Sequence, residues 1–322
     1  MDPPFSLAGN RFDQSTYKGR ILGFLDVVDP RLLLCDDEEL AVSQKLLEQF
    51  KEGATPAGTT EQQLWAAKKT VESIVHPTLG EPIPLPLRMA AFVPMNVPAI
   101  AGMLSTTSVP GQLFWQWWNQ TYNSALNYAN RGGGTVTTQE LATGYGLAVG
   151  SACSLAWALK WAAANGPPLV QKLGTKPWAI PYVTVAMAGA ANIYFSRRVE
   201  IEQGVAVCLD DGTEVGVSQE AAKQGVLQTV LSRGLFLPLP VLVLPPLLMG
   251  GLGKAGLPVT GRMKLPMELI CITVCLTAAL PACIAAFPQR LELDTDSLEP
   301  RFHALTDASG GKVAKLYSNK GL

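Results

Sequence analysis

Phe114 to Arg131 reads FWQWWNQTYNSALNYANR. Wound at about 100° per residue, it gathers Gln116, Asn119, Gln120, Asn123, Ser124, Asn127 and Asn130 on one face. Phe114, Trp117, Trp118, Tyr122, Ala125, Tyr128 and Ala129 fill the other, and Thr121 alone is misplaced. The first charge is Arg131. Soluble surface helices take their polarity from Lys and Glu, so a face of amides beside a face of aromatics is a neutral, hydrogen-bonding surface set against lipid or protein. An amphipathic helix over 112–131 is therefore expected, either at a membrane interface or lining the interior of a bundle.

The whole chain fits that setting. Of 322 residues 48% are hydrophobic and 16% charged, against a usual charged share of about 25%. The mean hydropathy of +0.20 is low for a chain that is all membrane, so a polar section joined to a hydrophobic one is expected. A net charge of -1 excludes nucleic acid as an electrostatically held partner, since that requires clustered Lys and Arg against phosphates. The six cysteines form no CxxC pair and no Cys/His cluster of zinc spacing, so neither a metal site nor a disulfide scaffold is expected. No P-loop, GxGxxG or GxSxG occurs, and the two histidines, His76 and His303, are far apart. An enzyme is not expected, nor a cofactor.

Residues 1–86 read as a helical soluble section. Asp36 with Glu39, and Thr60 with Gln63, have capping-box spacing ahead of apolar periodic stretches. The N-terminus lacks an apolar signal core, and Asp2 and Asp13 interrupt any transit-peptide pattern, so a targeting signal is expected to be internal. Residues 87–288 hold five apolar runs, near 89–107, 141–161, 177–196, 226–252 and 266–288. A spanning helix needs about 20 apolar residues for about 30 Å of hydrocarbon. The expected fold is therefore an all-α membrane protein: about five transmembrane helices plus the amide-rich helix. A short β-hairpin is expected in the loop at 203–218, where Val205 to Leu209 and Glu214 to Val217 flank an Asp-Gly turn, and a soluble tail over 289–322.

Four constellations are candidates for function. Uncharged amides offer donors and acceptors that replace the hydration of a zwitterion or polyol without burying net charge, and the same groups also hydrogen-bond helix to helix. His76-Pro77-Thr78-Leu79-Gly80-Glu81 precedes the first run, where it suits either a gate or proton relay or a turn. Arg233 lies within run four, placed either to hold a carboxylate or to snorkel to the interface. Pro238, Pro240, Pro245 and Pro246 crowd run four and are expected to break it, as happens where irregular backbone lines a cavity, with a kinked helix as the alternative. Asn192 stands near the end of run three, ahead of Arg197 and Arg198.

HPTLGE, WQWWNQTYNSALNYANR, FSRRVEIEQG, LPLPVLVLPP, FPQRLELDTDSLEP and NKGL together resemble the sideroflexins, over nearly the whole chain. Within that family the chain is most similar to the branch once called tricarboxylate carriers. The resemblance implies a five-span, multi-pass carrier of the mitochondrial inner membrane that transports serine, with other small amino acids and citrate proposed, and links to one-carbon, haem and iron metabolism. Its motifs fall here on His76, Pro77, Gly80 and Glu81, and on Asn119, Gln120, Asn123, Asn127, Tyr128, Asn130 and Arg131. Two departures are Thr78-Leu79 where the family has Asp-Thr, which removes a carboxylate from any proton relay, and Gly132 where it has Asn. Substrate-binding candidates are thus Asn119, Gln120, Asn123, Asn127, Asn130, Arg131 and Arg233. Candidates for a gate or structural motif are His76, Pro77, Gly80, Glu81, Asn192, Pro245 and Pro246. A tricarboxylate carrier and a non-transporting scaffold for inner-membrane complexes are the alternatives; citrate ranks below serine because the runs offer few cations besides Arg233.

Overall fold

A computed structural model describes all residues except 1–2, 8, 77–78, 107, 132–136, 175–178, 307–310 and 322. The chain divides into two compact units, Met1–Met95 and Asn96–Leu322.

In the first unit three helices form, each opened by a residue whose side chain accepts a backbone N–H: α1 (Tyr17–Val27) behind Thr16, α2 (Asp37–Lys51) behind Asp36, and α3 (Glu61–Ile74) behind Thr60. Thr60 and Gln63 complete the reciprocal box that their spacing predicts. Phe5, Leu64 and Trp65 make one apolar cluster, and Leu32, Cys35, Leu40, Ile74 and Ala90 a second. The buried Lys68 ammonium donates to the carbonyls of Ser6, Leu7 and Gly9 at 3.2, 2.8 and 2.5 Å, which holds the N-terminal segment on α3.

Asp29 is the electrostatic centre of this unit. It accepts from Arg31 at 2.6 Å and from Lys69 at 2.5 Å. The Arg31 hydrogen bonds, opposed by burial and reinforced by Lys69, hold its carboxyl well below the usual carboxylate range. A depressed carboxyl stabilises the fold fully above its unfolded value, about 3.9, and loses that contribution as pH falls through the folded value. Asp29→Asn is accordingly expected to lower the thermal midpoint at pH 7, with the gap from the parent closing as the pH is taken below about 4. Unfolding curves of both proteins from pH 7 to pH 3 check this; a constant gap refutes it.

The second unit carries α4 (Phe92–Ser105, entered from the first), α5 (Val109–Ala129), α6 (Thr138–Asn165), α7 (Pro168–Gly174), α8 (Ala179–Ser196) and α9 (Arg198–Gln203). Then come α10 (Gln219–Thr229), a π-helical segment Val230–Phe236, α11 (Pro238–Lys254) and α12 (Lys264–Ile284). Among the described residues each apolar run lies mainly in helix, but not all of these helices have membrane length. Among the described residues two helices are long and apolar enough to cross, Gln219–Lys254 and Gly261–Ile284, the fourth and fifth runs. The first run yields the 14-residue α4, about 21 Å at 1.5 Å per residue and short of the hydrocarbon thickness.

Run four departs from expectation. Its prolines do not break it: Gln219–Lys254 is helical throughout, with Pro245 and Pro246 inside α11. Pro238 opens α11, where no N–H is called for, and Pro240 lies within the first turn, so their cost falls on carbonyls of the preceding segment. That segment absorbs it as a π-helix in which the Leu237 N–H reaches back to the Ser232 carbonyl at 3.0 Å. The Tyr182 hydroxyl donates to the neighbouring Leu235 carbonyl at 3.2 Å.

The expected hairpin, β1 (Val205–Cys208) with β2 (Glu214–Ser218), is half of a larger sheet. The tail supplies β3 (Arg290–Asp294) and β4 (Lys315–Asn319), in the antiparallel order β2-β1-β4-β3. Alternation puts Val205, Val207, Leu291, Leu293 and Leu316 on one face, against Ala221 and Ala222 of α10 and Leu298 and Phe302 of the tail.

Candidate functional site

The amide face of α5 turns inward. Gln120, Ser124, Asn127 and Asn130 are buried, while Phe114, Trp117 and Trp118 remain exposed. Gln120, Ser124 and Asn127 follow the i, i+4, i+7 row, which meets α8. There Asn192, 1% exposed, connects them. Its Nδ2 donates to both the backbone carbonyl and the side-chain oxygen of Gln120 at 3.1 Å, and its Oδ1 accepts from Asn127 Nδ2 at 3.2 Å and from Ser196 Oγ at 3.3 Å. The hydroxyls of Ser124 and Ser196 are 2.8 Å apart. Five uncharged polar side chains from two helices thus form one connected cluster with no ionised member.

Asn127 is 2% exposed, yet its Oδ1 accepts nothing among the described residues. A buried amide oxygen without a donor costs about 1–3 kcal/mol, so it favours any ligand that brings an N–H or O–H.

The other candidates are dispersed around this cluster. Half-buried Asn123 donates to Asn119, at 2.8 Å to its carbonyl and 3.3 Å to its side-chain oxygen, forming a second pair on the adjacent row. Asn130 bonds the Leu126 carbonyl at 2.9 Å and ends α5. Arg131 donates to the Tyr128 carbonyl at 2.6 Å, its guanidinium 4.0 Å from the centre of the Tyr128 ring. Arg233 is buried on the π-helical segment, within electrostatic reach of Tyr122 and Arg197. That segment meets α8 closely because Gly234 has no side chain: a Cβ there would lie 3.3 Å from the Ala190 nitrogen. Pro245 is buried and Pro246 exposed on α11.

His76, Gly80 and Glu81 belong to the first unit; Pro77 lies outside the described residues. His76 is buried and its Nδ1 accepts the Leu79 N–H at 3.2 Å. Its backbone N–H donates to the Glu81 carbonyl, and its carbonyl accepts from Gly80, which has a φ of +70° that favours glycine. These are the bonds of a tight turn, and the Glu81 side chain is exposed.

Two groups of consequence escape a reading of the sequence. Ser196 joins the cluster although it looks like an ordinary helix-end serine. Arg197 and Glu200 form a buried, two-pronged ion pair at 2.9 and 2.6 Å, for which the i, i+3 spacing is the available signal.

A mostly helical chain with helices long enough to cross a membrane is compatible with a membrane protein. The comparisons place it within a family: the sideroflexin family model matches residues 6–322, and the chain belongs to the sideroflexins. It is 36% identical over 331 residues to a sideroflexin of Dictyostelium discoideum, covering 99% of this chain and 98% of that one. To sideroflexin-3 of Mus musculus it is 38% identical over 315 residues, 97% and 96% of the two chains, and to sideroflexin-5 of Homo sapiens 37% over 334 residues, 99% and 94%. No solved structure matches it.

Proposed function

We propose that this chain moves a small polar metabolite, serine or a related amino acid, across the mitochondrial inner membrane by alternating access. The family is one of mitochondrial transporters, and the observation that carries the reading is the neutral cluster of α5 and α8, whose buried Asn127 Oδ1 has no donor among the described residues. An amino-acid zwitterion has no net charge, so amides can replace its hydration without the Born cost of burying an ion. In this reading Gln120 and Asn127 meet the substrate's donors, and Asn119, Asn123 and Asn130 extend the polar path along α5. Arg233 or Arg131 meets the carboxylate. Asn192, the His76-Gly80-Glu81 turn with Pro77, and Pro245 and Pro246 hold or gate the path. No covalent step and no cofactor is involved.

One observation favours a second reading. Asn192 bonds to Gln120 and Asn127 are direct helix-to-helix bonds, which serve equally to glue α5 to α8 in a scaffold that assists assembly of membrane complexes. Citrate ranks third: it needs several cations, and Arg197 is already committed to Glu200.

Uptake of labelled serine and labelled citrate by the purified protein in liposomes separates the three. Serine uptake is expected, and is expected to fall at least about tenfold in Asn123→Leu with Asn127→Leu, a loss of about 1.4 kcal/mol of binding. Unchanged uptake in that folded variant removes the amide site. Citrate uptake alone moves the site to the arginines, and dissociation or unfolding of the variant with no uptake by the parent favours the scaffold.

A further inference from the structure

The residues that follow β4 reach the amide cluster through one buried side chain. Arg197 is 2% exposed and stands immediately after Ser196 at the end of α8. Its Nε and Nη2 grip Glu200; its Nη1 donates to Thr229 Oγ1 at 3.0 Å; and its Nη2 also donates to the backbone carbonyl of Lys320 at 2.6 Å. Thr229 is in turn anchored on the Gly225 carbonyl at 2.9 Å, and Lys320 is itself 2% exposed, its N–H on the Gln289 carbonyl at 2.9 Å. One guanidinium thereby ties the end of α8 to α9, to α10 and to the tail. On the other side of Ser196 the chain of bonds runs at once into the cluster, Ser196 Oγ to Asn192 Oδ1 and Asn192 Nδ2 to Gln120.

We propose that Arg197 is a positioning residue, through which the seating of Lys320 sets the placement of Asn192 and Ser196, so that the four-stranded sheet and the amide cluster are energetically coupled. The role in transport rests on the reading of that cluster as the substrate site; the coupling itself does not. The Arg197 N–H donates to the Ile193 carbonyl at 3.1 Å, so a shift of the guanidinium is passed to the last turn of α8 rather than absorbed by a loop. Coupling is reciprocal: if the tail biases the cluster, disturbing the cluster loosens the tail.

Three variants of the full chain test this. Asn192→Leu is expected to speed hydrogen exchange at Leu316 to Lys320, with exchange in α2 unchanged, and needs no substrate. Arg197→Lys keeps the charge and loses the fork; it is expected to raise KM for serine about tenfold with Vmax within about threefold. Gly321→Ala, at a φ of +74°, displaces the backbone beside Lys320 without touching the buried charge, and serves where Arg197→Lys does not fold; the same KM shift is expected. Tail exchange unchanged in Asn192→Leu overturns the coupling whatever uptake does. A fall in Vmax with KM unchanged overturns the positioning role. Faster tail exchange in Asn192→Leu, from a parent that takes up no serine, upholds the coupling and rejects the transport reading.

Discussion

Asn192→Leu is expected to abolish serine uptake to within about a tenth of the parent rate or less while leaving most of the protein folded. The change removes both ends of the central amide. Gln120 Oε1 loses its donor, Asn127 Nδ2 and Ser196 Oγ lose their acceptor, and Asn127 keeps neither partner. In water each stranded buried group would cost about 1–3 kcal/mol, and the helix pair would separate. Between membrane helices the measured average is nearer 0.6 kcal/mol, because the dissociated state also finds partners. The smaller figure predicts about 2 kcal/mol of lost stability, which a folded protein tolerates, and a much larger effect on a site that depends on placed amides. Ser196→Ala, which loses a 3.3 Å bond to Asn192 and the contact with Ser124, is expected to reduce uptake far less. Uptake rates and thermal midpoints for both variants check the ordering; equal losses of uptake and stability in Asn192→Leu point to glue alone.

How much of this was legible follows from where each interaction lies along the chain. The amide face is a local pattern, and α5 over Val109–Ala129 buries the side that the period assigns to Gln120, Ser124 and Asn127. The caps of α2 and α3 are local as well, settled within four residues. The partner of the amides is not: nothing in the periodicity of run three says that Asn192, rather than another position, faces Gln120, since that depends on how α8 is rotated against α5. The same limit hides the sheet. β1 and β2 are joined by a turn that announces itself, whereas the pairing of Cys208 with Tyr317 joins strands far apart in sequence. Run four shows the opposite failure, in which a strong local rule is overridden. Proline disfavours a helix interior because of its missing N–H, but here a π-helical segment ahead of Pro238 takes up the misfit and the helix continues.

Glu200→Leu is expected to cost about 3–5 kcal/mol of stability. Glu200 is 4% exposed and accepts from both Nε and Nη2 of Arg197. Taking it away strands a guanidinium that is buried among Thr229 Oγ1 and the Lys320 carbonyl, two neutral acceptors that solvate a cation but do not neutralise it. The pair as a whole is a different matter. Two ions taken from water pay a desolvation penalty that their attraction scarcely exceeds, so replacing both at once by apolar groups of like volume is often neutral. Arg197→Met with Glu200→Leu is therefore expected to recover most of the thermal midpoint lost in Glu200→Leu. It is not expected to recover the seating of the tail, because methionine offers the Lys320 carbonyl no donor. Thermal unfolding together with hydrogen exchange at Leu316 to Lys320 reads the two effects apart: a double variant that regains its midpoint with a loosened tail assigns stability to the balance of charge and tail placement to the guanidinium's geometry, while a double variant as unstable as Glu200→Leu shows that the buried bonds to Thr229 and Lys320 matter more than the charge.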